Sequence, residues 1–147
     1  MRRFALIAFV FGLIVPLLPL DSALAQARVQ RLWHVESPER DPDNPLQALS
    51  ECTGQYRSDR GKAEMRGTCT TDDPALLGAT VLLRHINGET GVVTNITTFR
   101  FGVRRRARVT FALRTPAADV PVVTTNTDVL QVIGPDGITV VMVGGWR

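Results

Sequence analysis

Six arginines and no acid lie between Phe99 and Arg114, in FRFGVRRRARVTFALR, and the flanking acids are as distant as Glu89 and Asp119. A guanidinium group is always charged and grips phosphate or carboxylate through a rigid fork of N–H donors, so such a run is chemistry for holding anions. Folding alone offers another explanation. Charge on the outer face of a strand keeps it soluble and guards an edge against aggregation. The candidate binding residues are Arg100, Arg104, Arg105, Arg106 and Arg108.

Other side chains able to do chemistry are sparse. The chain has no G-x-S-x-G elbow, no glycine-rich phosphate loop followed by lysine, and no H-E-x-x-H. Beyond the first 25 residues the only serines are Ser37, Ser50 and Ser58. His85 ends the run TVLLRHI, and its nearest carboxylate is Glu89. General acid–base work needs such a partner, but neighbours at a strand end are mostly a surface pair. A small hydrolase built around His85 is therefore the weakest functional class. His34 follows Trp33 and has no evident partner. Two histidines in unrelated contexts do not make the four-ligand set of a zinc site. Asp41, Asp43 and Asn44 start like a calcium loop, yet Leu46 and Cys52 stand where it wants glycine and glutamate. No catalytic residue, metal site or cofactor is expected.

These residues sit in a chain that begins with an export signal. Arg2 and Arg3 precede an apolar core from Phe4 to Leu20, and Ala23-Leu24-Ala25 supplies the small residues of a cleavage site. Residues 1–25 are read as a cleaved secretory signal peptide. Without Arg2, Arg3 and Asp21, 15 basic and 13 acidic residues remain, a net charge of +2, so the clustering of arginine matters more than the total. Residues 26–50 form a proline- and acid-rich extended segment: ESPERDPDNP has four acids and three prolines in ten positions. That composition predicts no regular element. A β domain then occupies residues 51–147.

From Glu51 onward short alternating runs are separated by turn chemistry at SDRGK, INGETG, TPAADVP and GPDG. The pattern predicts an all-β fold, a small antiparallel β-barrel or β-sandwich of seven to nine short strands. Candidate strands include 51–57, 63–70, 79–86, 107–114, 120–125, 128–133 and 138–143, with 92–103 as one bent strand or two. If Arg60-Gly61 is a two-residue turn, Asp59 faces Lys62 and Cys52 falls opposite Cys69. In that register Cys52, Gly54 and Tyr56 share a face with Met65, Gly67 and Cys69. Two cysteines in an exported chain read as one disulfide, here stapling the first hairpin at a non-hydrogen-bonded pair.

Parity sorts the arginine-rich stretch. Phe99, Phe101, Val103, Ala107, Val109, Phe111 and Leu113 are odd-numbered, whereas Arg100, Arg104, Arg106, Arg108 and Arg114 are even. On alternating strands the rings face the core and the guanidinium groups face solvent. Arg105 breaks the pattern. A three-residue loop, Arg104–Arg106, between two arms resolves it by placing the triple arginine at a tip.

The reading that follows is a periplasmic or secreted, non-enzymatic binding module. Its arginines would meet an anionic partner: anionic lipid, lipopolysaccharide or an acidic protein. No nucleic acid is expected, because the aromatic rings that would stack on bases have the parity of the core. An alternative is a structural or assembly subunit pairing through the apolar C-terminal strand, since ITVVMV has the propensity and lack of charge of a self-pairing segment.

Overall fold

The structure, a computed structural model, describes residues 28–147; the export signal expected at residues 1–25 lies outside them. The strands in chain order are β1 (Val29–Glu36), β2 (Arg40–Asp41), β3 (Asn44–Ala48), β4 (Ser50–Asp59), β5 (Lys62–Thr71), β6 (Thr80–Ile86), β7 (Val93–Arg100), β8 (Ala107–Arg114), β9 (Val129–Ile133) and β10 (Val140–Trp146). Eight of them form one antiparallel sheet in the order β7-β6-β9-β10-β1-β4-β5-β8, and β2 pairs with β3 separately. The sheet curls into a nearly closed barrel. Its edge strands, β7 and β8, share no ladder among the described residues. Side chains close the seam instead, with Phe99 stacked on Phe111 at 5.8 Å between ring centroids.

The all-β antiparallel class read from alternation is the one found. The β4–β5 hairpin has the register its turn dictates: Asp59 faces Lys62, Tyr56 faces Met65, Gly54 faces Gly67 and Cys52 faces Cys69. Arg60 and Gly61 both take positive φ, 49° and 76°, as the favoured twist of a two-residue hairpin turn requires. The disulfide joins Cys52 to Cys69 with Cα atoms 4.0 Å apart.

Three expectations are corrected. This hairpin is not the first in the fold, because the small β2–β3 pair precedes it and β1 already lies against β4. Nor does regular structure begin at residue 51. β1 sits between β10 and β4 in the middle of the sheet, and Ser37 and Leu49 continue the pairing through backbone bonds to Ser50 and Glu39. VQRLWHVE hides its alternation because Arg31 takes an inward position beside Trp33 and Val35, whereas Leu32 is exposed. Residues 120–125 form no strand either. They belong to a loop that covers one end of the barrel, where Val120 is buried and the Tyr56 hydroxyl donates to the carbonyl of Pro121 at 2.6 Å.

The core is organised by one row of side chains. Register places Trp146, Trp33, Gly54, Gly67 and Phe111 side by side on β10, β1, β4, β5 and β8. Trp33 lies across both glycines, its Nε1–H donating to the carbonyl of Arg66 at 3.0 Å. Its ring reaches Phe111 at 5.9 Å. A β-carbon on Gly54 would stand 2.5 Å from Trp33 Nε1, and one on Gly67 would stand 2.2 Å from Trp33 Cζ2. Only glycine leaves that floor open.

β10 accounts for its apolar character in a similar way. Met142 and Trp146 are buried, and Val143 and Gly144 are hydrogen-bonded neighbours of both β9 and β1. The backbone at those two residues is thus already paired within the chain.

Two stability predictions arise from this packing. Gly67→Ala should cost about 3 kcal/mol, since the Trp33 ring has no free space to enter, and urea unfolding would read the loss. Replacing both cysteines by alanine should cost a further roughly 3 kcal/mol through the freed 17-residue loop, visible as a lower melting temperature with the β signature of the folded state retained.

Candidate functional site

The arginine-rich stretch does not form a hairpin. β7 pairs with β6 and β8 pairs with β5, at opposite ends of the sheet order. The segment between them, residues 101–106, therefore crosses the seam instead of turning back on itself. This is why the connection has six residues and not the three expected. Phe101 stays with the core, its backbone N–H donating to Ala79 at 3.1 Å. The chain then swings outward, leaving Val103 exposed despite its odd number. For the remaining positions the parity holds: Phe99 and Ala107 are buried, and Arg100, Arg104, Arg106, Arg108 and Arg114 are exposed.

Each predicted binding residue has a distinct setting. Arg100 donates from Nε to the carbonyl of Gly78 at 2.8 Å, which holds it along the sheet. Arg106 adopts φ of 55°, a left-handed conformation rare for a residue with a β-carbon. Asp72 stabilises it by accepting its backbone N–H at 2.8 Å, with the guanidinium 4.0 Å from the same carboxylate. Arg104, Arg105 and Arg108 are exposed and have no side-chain partner among the described residues. The structure thus brings Arg104, Arg105 and Arg106 together at the loop and sets Arg108 at the start of β8, while Arg100 is tied to Gly78.

A second basic cluster lies farther along the same face. Pairing across β4, β5 and β8 puts Arg57, Glu64 and Arg114 in one row, with Arg66 in the next. Glu64 accepts from Arg57 at 2.8 Å, from Arg66, and from Arg114 at 3.4 Å. The hydrogen bonds from Arg57 and Arg66, reinforced by the charge of Arg114, hold its carboxyl down at about 2. One acid thus restrains three arginines, and the cluster keeps an excess of positive charge. Local sequence reasoning pairs Arg57 with Glu64 once the Arg60-Gly61 turn is set. It has no signal for Arg114, because the β5–β8 contact joins segments about fifty residues apart.

His85 departs from its expected surroundings. It is 3% exposed, and its Nε2 lies 2.8 Å from Asp128 Oδ2, not near Glu89. Asp128 is buried as well and also accepts from the Thr125 hydroxyl at 2.6 Å, the Thr125 N–H at 2.9 Å, the Gly88 N–H at 3.0 Å and Trp146 Nε1 at 3.3 Å. It therefore knots the end of β6, the turn after it, the loop before β9 and the end of β10. Burial alone would push its carboxyl up. The donors from Thr125, Gly88 and His85 outweigh that and hold it well below the usual carboxylate range. A carboxylate in that position needs a proton on His85 Nε2, which leaves Nδ1 as a buried atom with no partner among the described residues. Both side chains are closed to solvent, so the geometry fits a structural tie better than a reaction centre.

No family model, curated protein or solved structure matches the chain. Any functional reading therefore stands on the chain's own residues. Among the described residues no group of three or more His, Cys, Asp or Glu side chains is arranged to hold a metal ion, and no helix is long and apolar enough to cross a membrane.

The knot has a pH signature. A carboxyl whose folded pKa is depressed contributes stability above its unfolded value near 3.9, and that stability is lost as pH falls through the folded value. Melting temperature should thus decline below about pH 4 in the native protein. In Asp128→Ala that acid-dependent part should shrink, on top of a loss of about 3 kcal/mol at neutral pH from unpairing a buried group. Thermal unfolding across pH 2 to 7 would read both.

Proposed function

We propose that this chain is an exported, non-enzymatic binding module that docks an anionic partner through the loop between β7 and β8 and the adjoining outer face of β8. One observation carries the reading. Elsewhere in the fold arginine side chains have partners: Arg31 bonds Asn126, Arg40 bonds Glu36, Arg57 and Arg66 bond Glu64, Arg84 bonds Gln131 and Arg147 bonds His34. Arg104, Arg105 and Arg108 have none among the described residues, and Arg28, at the first described position, is the remaining exception. Arginines needed only to keep a strand soluble would be free to take a nearby acid. Here Asp72, beside the loop, is engaged by the Arg106 backbone.

Export supports the choice of partner. The signal-like residues 1–25 and the Cys52–Cys69 disulfide suit an oxidising compartment, where lipid headgroups, lipopolysaccharide and acidic proteins offer anionic surfaces. Guanidinium forks match phosphate and carboxylate alike.

The test is retention on immobilised heparin and on anionic vesicles as salt is raised. Each arginine near an anionic surface contributes about 1 kcal/mol at physiological ionic strength. Changing Arg104, Arg105 and Arg106 together to serine should therefore weaken binding about a hundredfold. Retention that is unchanged by the triple substitution, or insensitive to salt, would overturn the reading.

A further inference from the structure

We propose that the partner is an extended acidic glycan chain lying along the outer face of β8, held at one end by the arginine loop and at the other by the cluster around Glu64; this rests on the anion-docking reading above. The β5–β8 register lays out the path. Arg108, Thr110, Ala112 and Arg114 all point outward and are exposed. Their β5 neighbours Thr70, Thr68, Arg66 and Glu64 share that face. At about 3.3 Å per residue, Arg108 and Arg114 stand about 20 Å apart. No acid stands on the two strands between those ends, where Thr110, Thr68, Ala112 and Arg66 lie.

Three features favour a long, hydroxyl-bearing polyanion over a compact headgroup. First, the positive charge comes in two separate groups, and one headgroup could engage only one of them. Second, the strip joining the groups presents threonine hydroxyls, which can both donate to and accept from the hydroxyls of a sugar. Third, the far cluster is already ordered. Glu64 restrains Arg57, Arg66 and Arg114, so these long side chains give up less freedom when an anion arrives. Surface grooves of about 440 Å³ and about 470 Å³ open on either side of this cluster, both lined by Arg57 and Glu64. They give the chain end room to settle against the guanidinium groups. Two modest sites joined by one chain bind more tightly than either alone, but only when the chain spans both.

The experiment is a titration of the full chain with heparin-type sulfated oligosaccharides shorter and longer than the span, with anionic vesicles as a parallel arm. Oligosaccharides that reach both clusters should bind at least about tenfold more tightly than short ones. Arg66→Gln with Arg114→Gln should remove that gain, bringing long oligosaccharides down to the affinity of short ones. Because those changes release Glu64, Thr110→Glu gives an independent check: it sets a carboxylate mid-strip, removes none of the Glu64 hydrogen-bond partners, and should also abolish the gain. Equal affinity for short and long oligosaccharides would overturn the inference, as would a length gain that survives Thr110→Glu. Binding to vesicles with no binding to any oligosaccharide would overturn it while leaving the docking reading standing. Binding to neither would remove both.

Discussion

Trp33 lying flat over Gly54 and Gly67 is the contact on which the barrel depends. An indole cannot lie across two neighbouring strands unless both lack a β-carbon at that point, and β4 and β5 place their glycines directly opposite one another. The ring thereby fills the width of two strands, its N–H satisfied by the carbonyl of Arg66. It also delivers its far edge to Phe111, which in turn stacks on Phe99 across the open seam. A sheet whose end strands share no ladder among the described residues is thus closed by a chain of rings that starts at β1. Next to this row the Cys52–Cys69 bond locks the same two strands, so the pair that must stay in register for Trp33 is the pair held covalently.

How much of this was legible depended on the distance in sequence between partners. The β4–β5 register followed from its turn and from two cysteines equidistant from it, all local information, and every pair in the hairpin could be written down. The inward role of Gly54 and Gly67 followed from the same parity, but not its reason, because Trp33 arrives from another strand. β1 was hidden by its own composition. An inward arginine, Arg31, and an exposed Leu32 spoil the alternation, and the prolines and acids just after it look like a linker. The position of β8 against β5 was equally illegible, since a strand's partner is set by the closure of the whole sheet.

The functional residues divide along the same line. Parity alone assigned Arg100, Arg104, Arg106 and Arg108 to solvent and Phe99, Phe101 and Ala107 to the core. The same argument failed at Val103, where the chain has left the strand to cross the seam and period-two alternation no longer applies. His85 read as a strand-end surface histidine with Glu89 as its nearest carboxylate, whereas it is buried. The real partner, Asp128, reaches it from 43 residues away, because β6 pairs with β9. Buried polar groups find partners through tertiary contacts as often as local ones, and a lone sequence has no record of those.

The acids on the arginine-rich side show how a charged surface can be ordered without being neutralised. Asp72 contributes its carboxylate to a backbone N–H, fixing the left-handed Arg106 and hence the direction in which the loop leaves the seam. Glu64 contributes its own to three guanidinium groups at once, and its depressed carboxyl keeps that arrangement charged well into acid. Neither acid cancels the field it stands in. Two carboxylates set the geometry of one loop and one cluster, and Arg104, Arg105 and Arg108 remain between them without a counterion among the described residues. Self-repulsion among such groups disfavours the compact state, while charge along the edge strand β8 guards it against pairing with another chain. An anion supplied from outside the chain relieves the same repulsion.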